Sequence, residues 1–272
     1  MKLSEIYKIA DAIAPKRLSD EYCRTAGAYD NSGLLVEACE EVTGILFSLD
    51  LTNAAIDEAI ANGANLIITH HPVIYGKIDH ICVNDPLILG EKLVRCIREG
   101  ISVISMHLNL DVAKDGIDES LMQGILLASG ETDGAGTRSV SIQHPVEESG
   151  YGRVYDVKSV ALGALAEGMK KVFSTDRIVV YGDQETSVTR VASFCGAGAD
   201  EGAIVFAKKM GAQVMVSSDF KHHLIQLLTE SGIAVIVLTH YASEQYGFEK
   251  YYKKIRQQVE IPCIYHTENN LF

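Results

Sequence analysis

The sequence predicts an α/β protein made of two similar lobes, and three observations support this fold class. Short apolar segments rich in β-branched residues alternate with segments of helical periodicity, as is typical of a parallel sheet covered by helices. The order of these segments in the first half recurs in the second half, and three of the apolar segments run into a histidine. The length of 272 residues and the hydrophobic content of 47% suffice for one large domain or two smaller ones.

The first lobe is predicted to comprise residues 1–128. Its first forty residues have the pattern of a helix, a turn and a second helix, and Asp30–Gly33 is a turn signal. Gly63 and Gly100 are expected to end the helices that precede them. The other predicted elements are a strand over 43–49, a helix over 53–62, a strand ending at Thr69, a helix from about Pro86 to Glu99, a strand ending at Ser105 and a helix over 118–127.

Residues 129–150 are predicted to form a mobile connecting segment, because they are rich in glycine, serine, threonine and acidic residues. A short strand is expected within it at 139–143. The second lobe, residues 151–272, is predicted to repeat the order of the first, and its C-terminal helix could pack back on the first lobe. Its elements are a helix over 160–173, strands over 177–181 and 191–194, a helix over 201–210, a strand over 213–216, a helix over 221–230 and a strand over 234–238.

Local sequence similarity between the halves suggests an internal duplication. Gly63–Ile68 parallels Gly211–Val216, and Glu99–Ile104 parallels Ser231–Ile236. A duplication would place the strand ends of both halves at a shared cleft. The alternative is that a helix, a glycine and a strand follow one another in many unrelated α/β proteins.

Composition excludes several classes of function. The 24 basic and 36 acidic residues give a net charge of −12, which disfavours binding to nucleic acid or to an anionic membrane surface. No stretch approaches the roughly 18 apolar residues of a membrane span, and the N-terminus lacks the apolar core of a signal peptide. A cytoplasmic protein is therefore expected. The six cysteines contain no C-x-x-C pair and are predicted to be reduced, mostly packed thiols.

A pair of histidines, His70 and His71, follows the apolar strand that ends at Thr69. Neighbouring side chains of an extended chain point to opposite sides, so the pair can face a single ion only where the chain bends. This geometry suits two ions better than one. The alternative, two polar residues in a surface loop, loses weight because two further strand ends carry similar residues.

The next strand end supplies His107 and, four residues later, Asp111. Because a hard carboxylate balances the charge of a metal ion, Asp111 is expected to be a ligand, and His107 a supporting residue or a proton carrier. The alternative is that Asn109 and Asp111 form a turn and cap the following helix.

The third strand end supplies His240, and Glu244 follows one turn later. If this segment is helical, the spacing of four residues places both side chains on one face, where a glutamate can bridge two ions. The alternative is that Glu244 is an ordinary acid favoured by the helix dipole. Together the three strand ends supply enough groups for two incompletely filled coordination shells.

Three further features have less distinct patterns. Asp50 ends a strand of the same predicted sheet and could support the site. Gly196–Gly198 lies between a strand and a helix, where it could admit a phosphate or a close backbone contact. His222 and His223 are expected in the first turn of a helix with Asp219 as its N-cap, in a structural or rim role.

Six short motifs, spread over most of the chain, carry a family resemblance: Asp30–Val36, Leu49–Thr52, Ile68–Pro72, His107–Asp111, Gly196–Gly198 and His240–Glu244. With them the chain resembles the NIF-three-like family of dinuclear-metal proteins, also named GTP cyclohydrolase I type 2 homologues. The resemblance implies a NIF-three-like fold with a metal site in the cleft between the lobes, a toroidal homohexamer, and a bridging role for Glu244. The implied metal ligands are His70, His71, Asp111, His240 and Glu244. One departure is Ser217–Asp219, where the family usually has Thr-Gly-Glu.

The predicted function is that of a metal-dependent hydrolase. Two divalent ions per chain, which could be Zn, Fe, Mn, Co or Ni, would activate a bridging water, with His107 and Glu244 as catalytic residues and His107 as the proton carrier. The expected substrate is a small molecule, either a nucleotide, as the resemblance suggests, or a phosphoester. The alternative is a metal-binding carrier or regulatory scaffold without turnover.

Overall fold

The computed structural model describes residues 1–84, 88–131 and 139–268. Within these ranges the chain forms two β-sheets and ten helices, which confirms the predicted α/β class. None of the helices in the described ranges is both long enough and apolar enough to cross a bilayer.

The chain divides into two compact units. The first unit comprises Met1–Ala113 and Phe248–Thr267, and the second comprises Lys114–Gly247 with Glu268. These bounds differ from the predicted lobes 1–128 and 151–272. Helix α6 (Ile117–Ala128) packs on a helix and a long strand of the second unit, and Phe248–Thr267 belongs to the first.

The first unit contains a five-stranded sheet in the order β1-β4-β3-β2-β11. Its strands are β1 (Gly33–Val36), β2 (Ile45–Ser48), β3 (Leu66–Thr69), β4 (Ser102–Ser105) and β11 (Cys263–Tyr265). Strand β1 is antiparallel to β4, and the other neighbours are parallel. The residues of β2, β3 and β4 are all buried, as expected for parallel strands that are covered on both faces.

Five helices lie wholly within the first unit. They are α1 (Leu3–Ile13), α2 (Lys16–Ala26), α3 (Asn53–Ala61), α4 (Leu89–Arg98) and the short α5 (Leu108–Asp111). Ile56 of α3 and Leu93 of α4 join Ile67 and Val103 of the sheet in one buried apolar cluster. This packing fixes the strands whose carboxyl ends carry the predicted ligands.

The second unit contains a six-stranded sheet in the order β5-β6-β8-β9-β10-β7. Its strands are β5 (Val140–Val146), β6 (Ser149–Ala161), β7 (Val179–Tyr181), β8 (Ser187–Ser193), β9 (Val214–Ser217) and β10 (Ala234–Val237). Its other helices are α7 (Leu162–Val172), α8 (Glu201–Lys209) and α9 (His222–Glu230), and α10 (His240–Arg256) begins in it. Strands β8, β9 and β10 are parallel, with β6 and β7 antiparallel at either side.

The two sheets share one connectivity. In the first, β2, β3 and β4 are adjacent parallel strands joined by helices, and β1 lies antiparallel to the last of them. In the second, β8, β9 and β10 have the same arrangement, and β7 occupies the place of β1. The matching order supports the predicted internal duplication, which stays a prediction.

Several local predictions need correction. Helix α9 begins at His222 with Lys221 as its N-cap, so the prediction of Asp219 as the cap is wrong. Helix α7 begins at Leu162, later than the predicted 160, because Val160 and Ala161 still pair with β8. Strands β1, β6 and β11 were not predicted. Of these, β1 and β11 are short, and each is stabilised by a partner strand that is distant in the sequence.

Two predicted features lie partly outside the described residues. The predicted start of a helix at Pro86 falls in the undescribed range 85–87, and the described helix α4 begins at Leu89. Within the predicted connecting segment 129–150, residues 132–138 are not described, whereas Val140–Val146 forms strand β5.

All six cysteines lie among the described residues and are free thiols. Cys96 and Cys195 are buried, whereas Cys82 is exposed. Burial raises the pKa of Cys96 to about 11, so its thiol stays protonated at neutral pH. The expectation of reduced, mostly packed cysteines agrees with this arrangement.

Candidate metal centre

The predicted ligands of the first unit lie at the carboxyl ends of adjacent parallel strands. His70 and His71 follow β3, while His107 follows β4 and precedes Asp111 in α5. The backbone N–H groups of His70 and His71 both donate to the carbonyl of Leu49, at 3.1 and 2.9 Å. The chain therefore bends at the pair, and the two ring centroids lie 4.9 Å apart. This bend brings both imidazoles to one side despite their adjacency in the sequence.

Three side chains of the first unit form a group with the composition of a metal site. His70, His107 and Asp111 each offer a ligand atom, and these atoms all lie within 4.8 Å of one another. His70 is fully buried and Asp111 is 4% exposed, whereas His107 is half-buried. An ionised carboxylate in such a buried place needs compensation by a positive charge or by hydrogen bonds. A divalent ion would supply that charge.

His70, His71 and His107 each have their Nδ1 atom against an oxygen acceptor. The acceptors are the Met106 carbonyl for His70 at 2.7 Å, Asp50 Oδ1 for His71 at 2.8 Å, and Asp30 Oδ1 for His107 at 2.7 Å. Because these oxygens accept the Nδ1–H, each neutral ring carries its lone pair on Nε2. Histidines that bind metal typically have this arrangement, which fixes the ring orientation and raises the basicity of the nitrogen.

Asp30 was predicted as part of a turn, and it also supports His107. Its Oδ2 accepts hydrogen bonds from the hydroxyl and the backbone N–H of Ser32, while its Oδ1 faces His107. Burial by itself raises the pKa of Asp30, but the hydrogen bonds from His107 and Ser32 outweigh it and bring the pKa down to about 2. Asp30 is therefore ionised at neutral pH and can accept the Nδ1–H of His107.

In the second unit, His240 and Glu244 lie in the first turns of α10, one turn apart. The His240 Nε2 atom is 3.1 Å from Glu244 Oε1, so the helical spacing does place the two side chains together. Glu244 is 3% exposed, whereas His240 is half-buried. The Nδ1 atom of His240 is 2.5 Å from Asp219 Oδ2, which repeats the carboxylate–imidazole pairing of the first unit.

The roles of Asp30 and Asp219 were not predicted from the sequence. Both belong to segments that resemble turns or caps, and each accepts from a histidine that is 77 or 21 residues away. The sequence positions could have indicated both roles. Asp30 precedes β1 and Asp219 follows β9, each at the edge of its sheet that carries predicted ligands. Asp50 was predicted as a supporting residue, and it lies against His71. His222 and His223 are exposed in the first turn of α9.

The donor set of each unit fits a divalent ion. Imidazole nitrogens together with carboxylate oxygens suit Zn, Fe, Mn, Co and Ni, and the choice among these depends on geometry and on metal availability. The first unit supplies His70, His71, His107 and Asp111, and the second unit supplies His240 and Glu244. Supporting carboxylates hold three of the four imidazoles in the orientation that metal binding requires.

A family model for Duf34/NIF3 (NGG1p interacting factor 3) matches residues 1–270. A GTP cyclohydrolase 1 type 2 homolog of Clostridium acetobutylicum is 30% identical over 248 residues, which cover 90% of this chain and 85% of the relative. Protein NIF3 homolog of Schizosaccharomyces pombe is 28% identical over 253 residues, covering 89% of this chain and 84% of the relative.

Solved structures show the same fold. A hypothetical protein of Staphylococcus aureus superposes with a TM-score of 0.80 at 24% identity, covering 99% of this chain and 97% of the other. Reduced HcgD from Methanocaldococcus jannaschii has a TM-score of 0.77 at 26% identity, with 97% of both chains covered. The match of the family model over nearly the whole sequence confirms the resemblance seen in the motifs, and the chain belongs to the Duf34/NIF3 family.

Proposed function

We propose that the chain is a metal-dependent hydrolase that binds two divalent ions. The proposed ligands are His70, His71, Asp111, His240 and Glu244. The observation that carries the proposal is the same in both units: a histidine Nε2 atom that bears a lone pair faces a buried carboxylate oxygen. The His70 Nε2 atom is 3.6 Å from Asp111 Oδ1, and the His240 Nε2 atom is 3.1 Å from Glu244 Oε1.

This pairing is unfavourable without a cation. Since the Nδ1–H of each ring donates to another oxygen, a neutral ring has no proton on Nε2 to give to the carboxylate. Two electron-rich atoms that approach each other in a buried place require a positive charge, either a second proton on the ring or an ion that both atoms bind. The remaining imidazoles and supporting carboxylates favour the ion.

Bound ions of this kind lower the pKa of a water molecule and stabilise developing negative charge. The chain itself provides a proton carrier. The Nδ1–H of His107 donates to Asp30, which leaves Nε2 of His107 to take a proton from a nucleophile or to return one to a leaving group. Asp30 holds the ring in position and stabilises the imidazolium that forms, as a carboxylate does beside a general-base histidine. We therefore assign His107 as the proton carrier and Glu244 as a catalytic ligand.

The metal stoichiometry tests the ligand set. Elemental analysis of purified protein is expected to find close to two divalent ions per chain, with a clear decrease in His71→Ala and in Glu244→Ala. The matched control is His223→Ala, since His223 is an exposed histidine outside the proposed set, and this variant should retain both ions. A single tightly held ion in the unaltered chain, or full retention in Glu244→Ala, would contradict the proposal.

The reaction class is tested separately. We expect the metal-loaded protein to hydrolyse at least one member of a panel of nucleotides and phosphoesters, and to lose this activity after chelation and in Glu244→Ala. An absence of turnover, together with transfer of metal to an apo-acceptor protein, would instead support a carrier. The names of the relatives support the choice of nucleotides for the panel.

Two exposed tyrosines favour a substrate with a planar ring. Tyr29 and Tyr75 are 53% and 62% exposed, and their rings meet edge to face at 5.4 Å. The Tyr75 hydroxyl donates to the Tyr29 carbonyl at 3.3 Å, and the Tyr75 ring lies 6.4 Å from that of His107. An aromatic surface that is held in place beside the imidazoles suits the stacking of a nucleobase, which contributes about 1–3 kcal/mol per base.

For a nucleotide substrate we therefore expect Tyr75→Ala to raise KM about 10-fold with kcat little changed, because stacking contributes to binding of the ground state and the transition state alike. Tyr75→Phe keeps the ring and should retain the KM of the unaltered chain. Steady-state kinetics with a nucleotide and with a phosphoester that lacks a ring provide the measurement. An equal rise in KM for both substrates would contradict a stacking role.

A further inference from the structure

The turn that follows strand β8 lies directly against the carboxylate of Glu244. Gly196 in this turn has φ +54°, and a Cβ atom built on it would lie 2.2 Å from Glu244 Oε1 and 3.4 Å from the Cε1 atom of His240. No side chain beyond glycine fits this place unless the carboxylate moves, and the positive φ also favours glycine. The motif Gly196–Gly198 thus provides the close backbone contact that its sequence suggested.

Buried side chains fix this turn, which consists of Cys195 and Gly196. The Tyr151 hydroxyl donates to the Cys195 carbonyl at 2.5 Å, and the Cys195 N–H donates to Asp118 Oδ1 at 3.2 Å. The Gly196 N–H donates to the Ser243 hydroxyl at 3.1 Å, and the Ser218 hydroxyl donates to the Gly196 carbonyl at 2.5 Å. Every backbone N–H and C=O group of the turn therefore bonds to a side chain of the second unit. These side chains set the position of the turn.

Asp118 is a fully buried anchor of the turn. Besides the Cys195 N–H, it accepts the N–H of Gly152 at 3.0 Å and forms an ion pair with Arg153. Arg153 is itself buried and donates to the Gly150 carbonyl at 3.0 Å and to the Ser149 hydroxyl at 2.7 Å. The ion pair connects the start of α6, strand β6 and the turn after β8.

The Tyr151 anchor depends on the second glycine of the motif. A Cβ atom on Gly198 would lie 2.1 Å from the Tyr151 hydroxyl. The two glycines thus leave space for different groups. Gly198 leaves space for the Tyr151 hydroxyl, which bonds to the turn, and Gly196 leaves space for the Glu244 carboxylate.

We propose that the Cys195–Gly196 turn is a positioning device for Glu244. Asp118, Tyr151 and Gly196 act as positioning residues: they limit the buried Glu244 carboxylate to one orientation against the His240 ring, so that it can serve as a metal ligand. This positioning role rests on the proposed function of Glu244 as a metal ligand. A glutamate has three rotatable side-chain bonds, and a rigid wall beside its carboxylate reduces the entropy that is lost when an ion binds.

If the turn only stabilised the fold, alanine at Gly196 would weaken metal binding no more than alanine at another glycine with a positive φ. Two glycines of the second unit allow this comparison. Gly196 and Gly211 both have positive φ values, +54° and +73°, so alanine strains the backbone at either position. At Gly211 no described atom lies within 4 Å of the added Cβ, whereas at Gly196 the added Cβ meets the Glu244 carboxylate. Gly211→Ala is therefore the matched control for backbone strain.

The test is a Co²⁺ titration of chelator-treated protein. Isothermal titration calorimetry measures the affinity for each ion, and the visible absorption spectrum reports the coordination of Co²⁺. In Gly196→Ala we expect one of the two ions to bind about 10- to 100-fold more weakly, with a changed visible spectrum, as for the loss of a supporting contact of a metal ligand. Gly211→Ala should retain both the affinity and the spectrum. Tyr151→Phe, which removes one hydroxyl from the turn, should weaken the same ion by a smaller factor.

The outcomes separate this inference from the ligand assignment. If Glu244→Ala weakens Co²⁺ binding but Gly196→Ala behaves like Gly211→Ala, the positioning role is overturned and the ligand assignment stands. If Glu244→Ala leaves Co²⁺ binding unchanged, the ligand assignment itself fails. Circular dichroism of each variant establishes that it is folded, and Tyr151→Phe tests the proposal even if Gly196→Ala does not fold.

Discussion

Replacing Asp118 with asparagine is expected to lower the free energy of unfolding by about 3–5 kcal/mol, the usual cost of removing one partner of a buried ion pair. Arg153 would keep its charge in a place where its side chain is 2% exposed, and Asp118 itself is fully buried. The backbone N–H groups of Gly152 and Cys195 would also lose a charged acceptor.

Urea denaturation followed by circular dichroism measures this effect. The matched control is Asp156→Asn, because Asp156 pairs with Arg190 at 2.7 Å on the surface. An exposed ion pair contributes roughly 0–1 kcal/mol, so the control should change stability little. Equal losses of unfolding free energy in the two variants would contradict the prediction, since they would show that burial does not increase the contribution of the Asp118 ion pair to stability.

Much of the site could be predicted from the ends of apolar strands. The segments that end at Thr69 and Ser105 are buried, and their sequences are rich in β-branched residues, which makes them easy to recognise. In a parallel sheet the carboxyl ends of such strands meet at one edge, and polar residues that follow them become neighbours. His70 and Asp111 were found in this way, although they are far apart in the sequence.

The residues that support the imidazoles were harder to predict. Aspartate is common in turns and at helix starts, so the local sequence around Asp30 and Asp219 already has an adequate explanation. Their roles depend on contacts with His107 and His240 that the tertiary fold creates. Strand β11 was missed for a related reason, since it pairs with β2 from more than 200 residues away and is only three residues long.

Substitution of the supporting carboxylates is the second change with a large expected effect. The effect should depend on whether the carboxylate faces a proposed metal ligand or the proposed proton carrier. Asp50 and Asp219 face His71 and His240, which are proposed ligands. Asp50→Asn and Asp219→Asn are therefore expected to weaken metal binding about 10- to 100-fold. The amide either accepts the Nδ1–H more weakly or offers its own N–H, and the second case moves the ring proton to Nε2, where it blocks the metal.

Asp30 faces His107, the proposed proton carrier, so Asp30→Asn should act on turnover rather than on metal binding. We expect it to retain both ions by elemental analysis and to lower kcat about 10- to 100-fold, because the imidazolium of His107 would lose its stabilising charge. Asp57→Asn is the control for charge alone, since Asp57 pairs with Arg95 on the surface. If Asp30→Asn instead lost an ion in parallel with Asp50→Asn, then His107 would be a metal ligand, and the proton carrier of the reaction would have to be sought elsewhere.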